Sequence, residues 1–423
     1  MSNDGISSSS PHAQDGCTGP RRGPAKLALV TLAGLAMTLS GAGVAVGAPA
    51  APVQAPKAGV TFNNPRGTAS QQEAIITQIN RAIDAAPRRS AIRMAQYRFD
   101  LDSTATKLIA AHRRGVKVQV LIDDGYLTSQ HKRLRKVLGT NKAKGSFVTT
   151  CKQSCMSNAP SVMHAKFFLF SAAGNARRVS MVSSANIFTG NTYKSWNNLH
   201  TIVGDATVYN SLTHYFKHLI RDKTNLNYYR TASSGKYKLY MFPRAPRRAV
   251  NTVLQLDVLN HVRCSGVARG YGRDGRTVIR IAIWGWSSAR LNLAKQLWRL
   301  HHQGCRVEVI LNRATAHQKI LSALLKRSPK QGRMPVFDAW QDTNKNGKAD
   351  LYVHHKVMTI NGHWFGRSNT KVVYTGSQNY TNPGTRLNDE LVLRIRDGAT
   401  LNAYDRNLNL IRDRHAKRLT RVG

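Results

Sequence analysis

Tyr352-Val353-His354-His355-Lys356-Val357-Met358-Thr359-Ile360, followed by Val372-Val373-Tyr374-Thr375-Gly376-Ser377-Gln378-Asn379, is the stretch on which the reading of this 423-residue chain turns. Side chains alternate faces along an extended strand, so His354, Lys356 and Met358 project together while Val353, Val357 and Thr359 point the other way. An imidazole and an ammonium thus share one surface. The second apolar run ends in a turn that presents Ser377 and Asn379 as further polar groups, and the whole set suits a phosphate.

The chain says the same thing earlier. Val162-Met163-His164-Ala165-Lys166-Phe167-Phe168-Leu169-Phe170 repeats His-x-Lys on an apolar strand, and Ser183-Ser184-Ala185-Asn186 repeats Ser-x-Asn. His164 precedes Asn186 by 22 residues, and His354 precedes Asn379 by 25. One His-x-Lys is common by chance in a basic protein. Two, each with its Ser-x-Asn, are not.

Working outward, the flanks repeat too. Ser70 with Glu73 reads as a capping box opening a helix with Ile75, Ile76, Ile79 and Ile83 on one stripe. A strand from Ile92 to Phe99, a helix near Thr104–Arg114 closed by Gly115, and the alternation Val116, Val118, Val120, Ile122 then read as strand–helix–strand, a parallel pair with a crossover. The second half has a helix with Leu254, Val258 and Val262 on one face, a strand from Val278 to Trp286, a helix Leu291–His302 closed by Gly304, and Val307, Val309 and Leu311. Gly115 to His164 is 49 residues and Gly304 to His354 is 50, a correspondence that predicts an internal duplication. Each unit ends in a closing strand and a helix that includes Leu-Ile-Arg-Asp, at 219–222 and 410–413. The halves are placed at 60–232 and 236–423, each a mixed β-sheet flanked by helices: two tandem α/β sandwich units. Basic residues from His131 to Lys144 and from Lys319 to Arg333 occupy matched positions, either as solvated helix faces or as rims of a shared cleft.

Residues 1–50 read as an export signal. Arg21, Arg22 and Lys26 precede an apolar small-residue run from Leu27 to about Gly47, and Ala48-Pro49-Ala50 supplies a cleavage site, followed by an Ala/Pro-rich linker at 51–60. The competing reading is an uncleaved anchor, since the run approaches the ~20 residues that span a bilayer. Secretion follows from the first reading, by a general or a twin-arginine route. Cleavage removes Cys17 and leaves Cys151, Cys155, Cys264 and Cys305. An even number in an exported protein favours two disulfides, and Cys151–Cys155 with Cys264–Cys305 keeps each bond within one half. A Cys-x-x-x-Cys zinc half-site is the alternative, without a second pair at zinc spacing.

Lysine and arginine number 63 against 21 acidic residues, a net charge of +42. Such a field attracts polyanions: nucleic acid, anionic lipid surfaces or polyphosphates. Extracellular solubility is the bland explanation.

Paired His-x-Lys motifs, each followed by Ser-x-Asn, in two tandem α/β units resemble the phospholipase D superfamily from about residue 60 to 420. The resemblance implies that the halves pack about a pseudo-two-fold axis and share one site in a monomer. It implies His164 as nucleophile forming a phosphohistidine and His354 as general acid, with the reverse assignment open. Lys166, Lys356, Ser184, Asn186, Ser377 and Asn379 would hold the phosphoryl oxygens, and no metal or other cofactor is required. Ser171 and Asn361 occupy the motif's two usual Asp positions, Ser183 replaces a Gly, and His200 stands where the second half has Glu390. Glu390 is expected to orient His354.

Asp342-x-Asn344-x-Asn346-Gly347-x-x-Asp350 resembles short calcium loops. The usual distal Glu is missing, Lys345 and Lys348 oppose a cation, and a plain Asn/Gly turn is the other reading. If calcium binds there, its role is structural. The leading functional expectation is a secreted phosphodiesterase that hydrolyses phospholipid head-group esters, with possible transfer of the phosphatidyl group to another alcohol. The alternatives are a secreted nuclease of the same superfamily and a catalytically decayed polyanion-binding protein.

Overall fold

The two alternating runs become matching sheets in the computed structural model, which describes residues 54–245 and 253–422. Strands β1 (Gly59–Phe62), β2 (Ala91–Gln96), β3 (Lys117–Asp123), β4 (Phe147–Cys151), β5 (Phe167–Ala173) and β6 (Ala176–Ser183) belong to the first sheet. A short β7 (Ser195–Trp196) lies off it, and β8 (Asn198–Ile202) completes it. The second sheet holds β9 (Arg230–Ser234), β10 (Tyr237–Met241), β11 (Val262–Arg263), β12 (Val278–Ile283), β13 (Arg306–Leu311) and β14 (Val336–Asp338). After the detached β15 (Tyr352–Val353) it continues through β16 (Lys356–Trp364), β17 (Arg367–Gly376), β18 (Leu391–Arg396) and β19 (Lys417–Arg418). The orders β1-β8-β6-β5-β2-β3-β4 and β10-β18-β17-β16-β12-β13-β14 correspond strand for strand.

The parallel pairs are the ones the spacing predicts. Ala91 faces Lys117 across β2–β3, and Val278 faces Arg306 across β12–β13. The crossover helices Asp102–Arg113 and Leu291–His302 each hand over to the next strand through a glycine, Gly115 at φ +89° and Gly304 at φ +96°, in the left-handed region that a side chain disfavours.

Strand periodicity sorts side chains into layers. On β5, Phe168 and Phe170 pack outward under the helices Ala74–Asp84 and Asp102–Arg113, while Phe167 and Leu169 point into a central layer. On β17, Val372 and Tyr374 pack outward against the second half's helices, and Val373 points to the centre. The central layer therefore joins Phe167, Leu169 and Val182 of one half to Val357, Val373, Leu391 and Leu393 of the other, with the helix Ala206–Leu219 between them. Residues 51–423 form one compact unit. The predicted signal segment at 1–50 lies outside the described residues.

Several local expectations shift. The first capping box is Thr68 with Gln71, whose Oε1 accepts from the Thr68 amide at 3.0 Å; Glu73 instead accepts from the Tyr193 hydroxyl at 2.6 Å. Val262 leaves the helix Leu254–Asn260 and pairs with Trp364 in the sheet. The repeated Leu-Ile-Arg-Asp ends one helix at Leu219 but lies inside the longer helix Gly398–His415, so packing, not the tetrapeptide, sets where each helix stops. Both within-half disulfides are present, Cys151–Cys155 and Cys264–Cys305.

The 342–350 loop is closed by its own backbone. Asp342 accepts from the amides of Asn346 (3.1 Å) and Gly347 (2.8 Å), Asn346 from Lys348 (2.8 Å), and Asp350 from Thr343 (2.8 Å). The Asn346 contact is an Asx turn, and the Asp342 and Asp350 carboxylates gather the loop's other amides. Among the described residues no three His, Cys, Asp or Glu side chains group as metal ligands.

Candidate active site

The residues just before β5 and β16 meet across the two halves. The His164 amide donates to the Asp389 carbonyl at 3.0 Å, and the His354 amide donates to the Trp196 carbonyl at 3.0 Å. Parallel pairing of Met163 with Asp389, and of β15 with β7, completes the symmetry. Each histidine is thus delivered onto a segment of the opposite half.

That crossing decides which side chain orients which ring. Glu390 follows Asp389, and its Oε1 and Oε2 lie 2.9 and 3.0 Å from His164 Nδ1. The expectation that Glu390 orients His354 is corrected. The partner of His354 Nδ1 is Asn197 Oδ1, at 2.9 Å. Asn197 follows Trp196 as Glu390 follows Asp389, and both lie eleven residues after their motif asparagines, Asn186 and Asn379. Counting from those asparagines is the signal that finds Asn197. His200, assigned to that place from the closing strand, lies buried on β8 beside Tyr237, with neither ring nitrogen partnered among the described residues.

The Asn197 amide is pinned in one orientation. Its Nδ2 donates to the carbonyls of Asn191 (3.1 Å) and Ser195 (3.2 Å) and to Ser195 Oγ (2.9 Å), so Oδ1 is the atom that must face His354. An acceptor there requires a proton on His354 Nδ1 and leaves Nε2 as the working nitrogen. Glu390 imposes the same tautomer on His164, with a charge.

The serines have a different task from the one expected. Ser377 Oγ donates to Glu390 Oε2, and Ser184 Oγ donates to Asn197 Oδ1 at 3.0 Å. Both are buried and brace the orienting side chains instead of facing a ligand. The asparagines do line the cavity, but unequally. Asn186 Nδ2 is committed to Asn191 Oδ1 at 2.8 Å, whereas Asn379 Oδ1 is buried without a partner among the described residues.

Both lysines fold back along their strands. Lys356 Nζ donates to the His354 carbonyl at 2.8 Å, and Lys166 Nζ donates to the His164 carbonyl. Lys166 is 0% exposed and Lys356 5%, so water does little to stabilise their charge. Burial pushes Lys166 down to about 7, partly offset by Glu390 and Asp123, and holds Lys356 well below the usual lysine range. An anion beside them would favour their charged forms. Burial also pushes His164 down to about 4, against the opposing pull of Glu390. It holds His354 well below its usual value, and the Lys356, Lys166 and His164 charges act in the same direction. Both rings are neutral near pH 7 in the free protein.

His164, His354, Asn186 and Asn379 open onto a cavity of about 300 Å³. Its walls are aromatic: Tyr97 lies edge-on to His164 at 5.2 Å, and Trp284 lies 5.6 Å from His354 and 4.7 Å from Tyr352. Arg98 is the cation on its rim. Sequence reasoning missed these walls because Tyr97 and Trp284 are single residues just past β2 and β12, with no repeat of residue type to mark them. None of the basic residues at 131–144 or 319–333 lines the cavity. Arg133 instead pairs with Asp102, and Arg333 donates to the Leu325 carbonyl at 2.8 Å.

Known proteins supply the context. A family model described as "Cardiolipin synthase, PLD-like domain" matches residues 75–220 and 276–411, one segment in each half. No curated protein matches the chain. Among solved structures, phosphatidylserine synthase of Haemophilus influenzae Rd KW20 is similar, with a TM-score of 0.57 at 14% identity over 86% of this chain and 88% of that one. A polyphosphate kinase from Porphyromonas gingivalis gives 0.53 at 15% identity over 85% of this chain and 48% of that one, so this chain spans about half that kinase's length. At such identities the likeness is one of fold alone. Two matched segments, each carrying one His-x-Lys and together covering most of both sheets, leave one assignment: the chain belongs to the phospholipase D-like family.

Proposed function

We propose that the chain is an exported phosphodiesterase that cleaves the head-group ester of phospholipids through a phosphohistidine on His164. The observation that carries this reading is the pairing of His164 Nδ1 with Glu390, which leaves Nε2 as a nucleophile in a neutral ring. His164 Nε2 attacks phosphorus, and the bond to the head-group oxygen breaks. His354, protonated as the anionic ester enters, gives its Nε2 proton to that oxygen and releases a neutral alcohol. Water then attacks the phosphohistidine and returns a proton to His354, freeing the phosphomonoester and restoring His164. A second alcohol in place of water transfers the phosphatidyl group.

Lys166 and Lys356 hold the phosphoryl oxygens, with the Nδ2 of Asn379 as a further donor beside them. Asn197 favours the acid role for His354, because an uncharged partner does not stabilise the imidazolium and so leaves it a stronger acid than one paired with a carboxylate. Lipid as the substrate is supported by the description of the matching family. The net charge of +42 suits an anionic bilayer surface. The test is to incubate residues 51–423 with phosphatidylcholine vesicles and with single- and double-stranded DNA, with and without chelator. Choline release insensitive to chelator is expected. Cleavage of DNA without lipid hydrolysis would transfer the reading to a nuclease, and binding without turnover would leave a polyanion-binding protein.

A further inference from the structure

Two strand ends that hold the motif histidines are equivalent in place and unequal in charge. Ala91 faces Lys117 and Val278 faces Arg306 in the parallel pairs, so Asp123, at the end of β3, corresponds to Asn312, just past β13. Both side chains are buried. Asp123 Oδ2 accepts from the Met163 amide at 2.7 Å, and Asn312 Oδ1 accepts from the Val353 amide at 3.0 Å. Met163 and Val353 immediately precede His164 and His354. Each motif segment is therefore clamped twice: by the opposite half through the amide of the histidine, and by its own half through the amide one residue earlier.

An amide side chain is enough for that clamp. Asn312 does more with it, since its Nδ2 also donates to the Val353 carbonyl at 2.7 Å and to the Trp284 carbonyl at 3.3 Å. A carboxylate has no donor to offer and costs more to bury. Its other oxygen takes the Gly125 amide at 3.0 Å. Holding the backbone does not by itself account for a charge at 123.

The charge acts on Lys166. Burial lowers that lysine, Glu390 and then Asp123 oppose the fall, and Arg98 adds to it. Burial pushes Asp123 up to about 6; the Met163 and Gly125 amides pull it back, Asp124 adds to the rise, and Lys166 favours the carboxylate. Asp389, the third buried acid here, is held well above the usual carboxylate range by burial and supplies little charge. Burial also lowers Lys356, where Lys166 adds to the fall, Glu390 opposes it, and an amide stands in the place of Asp123.

We propose that Asp123 is a positioning residue that holds the His164 segment and keeps Lys166 an ammonium, so that Lys166, and not Lys356, meets the incoming phosphodiester with its charge. This rests on the part given to Lys166 in the proposed reaction.

Bis-p-nitrophenyl phosphate tests it, because its leaving group needs no proton: the alkaline limb of its kcat/KM reports loss of the ammonium and not of the His354 proton. In the full chain that limb is expected at about pH 7. Asp123→Asn keeps the shape, and Asn312 shows that an amide suits the position. The substitution should move the limb down by about one unit, the low end for a neighbouring opposite charge. Asp124→Asn removes the same charge one residue on, where the carboxylate accepts from the Gln153 amide at 3.2 Å, and should leave the limb in place. A limb unmoved in Asp123→Asn, or moved as far by Asp124→Asn, would overturn the proposal and leave Asp123 a backbone clamp. A double-mutant cycle reads the same pairing without turnover. At pH 7, Asp123→Asn should lower the denaturation midpoint at least about twice as much in the parental protein as in Lys166→Met. Equal losses in the two backgrounds would also overturn it. If the parental protein turns over no diester, the catalytic reading fails, and the cycle alone decides whether Asp123 holds the Lys166 charge.

Discussion

Glu390 lies against His164, 2.9 Å from its Nδ1, although 226 residues separate them in the chain. The better-preserved orienting carboxylate thus serves the histidine of the less well-preserved half. Replacing Glu390 by Gln removes the charge and keeps the shape. Formation of the phosphohistidine, followed as acid-labile label on His164 in rapid quench, should slow by about 10²-fold or more, while Asn197→Ala should leave that step less affected.

The two imidazoles set a pH profile. In the proposed mechanism His164 must be neutral to attack, and burial lowers it to about 4, so the rate rises as pH climbs through that value. His354 must be protonated, and its value lies well below the ordinary 6.5, so kcat/KM, which reports the free protein, falls on the alkaline side at a midpoint under 6.5. A bell confined to acid pH is expected. A plateau extending to pH 8 with an alkyl phosphodiester would contradict it.

Leaving-group chemistry separates the acid from its partner. An alkoxide needs a proton and p-nitrophenolate does not, so Asn197→Ala should depress turnover of an alkyl phosphodiester by about 10²-fold and of bis-p-nitrophenyl phosphate by about tenfold or less. Equal losses would make Asn197 merely structural.

Burial makes Lys166 a stability liability. Its folded pKa, about 7, lies below the ordinary 10.5, so the stability tied to the neutral amine is present above 10.5 and lost as pH falls through 7. Lys166→Met should abolish turnover yet raise Tm at pH 6, by an amount equivalent to about 1 kcal/mol or more, and the gain should shrink by pH 10. Calorimetry at the two pH values checks both sign and window.

The two disulfides should dissociate stability from activity. By loop length, Cys264–Cys305 with a separation of 41 contributes about 4 kcal/mol and Cys151–Cys155 with a separation of 4 about 2 kcal/mol. The Cys155 amide donates to Asp389 Oδ2 at 2.6 Å, and Asp389 carries the carbonyl that anchors His164. Serine replacement of the short pair should therefore lower kcat more and denaturation midpoint less than replacement of the long pair.

The duplication was legible because it repeats: strand alternation, closing glycines and His-x-Lys recur at nearly constant spacing, and the sheets correspond accordingly. Which residue touches which histidine was not, because pairing across the halves reverses the assignment that proximity within a half suggests. Asn197 was within reach by counting, and was hidden by aligning on the closing strand, where His200 looked the better match. The role of Ser184 and Ser377 depended on burial, which Ser-x-Asn does not encode. Tyr97 and Trp284 hold equivalent places in the two halves but differ in residue type, so no repeated letter marked them.

The crossed backbone contacts, His164 with Asp389 and His354 with Trp196, reach into how such a chain changes over time. Because each ring takes its partner from the other copy, a substitution in one half is felt by the histidine of the other. Asn197 lies in the first copy and touches the second copy's histidine, not the first copy's own. In a self-paired homodimer the same substitution would alter both rings together. Within a single chain the two rings can differ, each oriented from the far side of the molecule, His164 by a carboxylate and His354 by an amide.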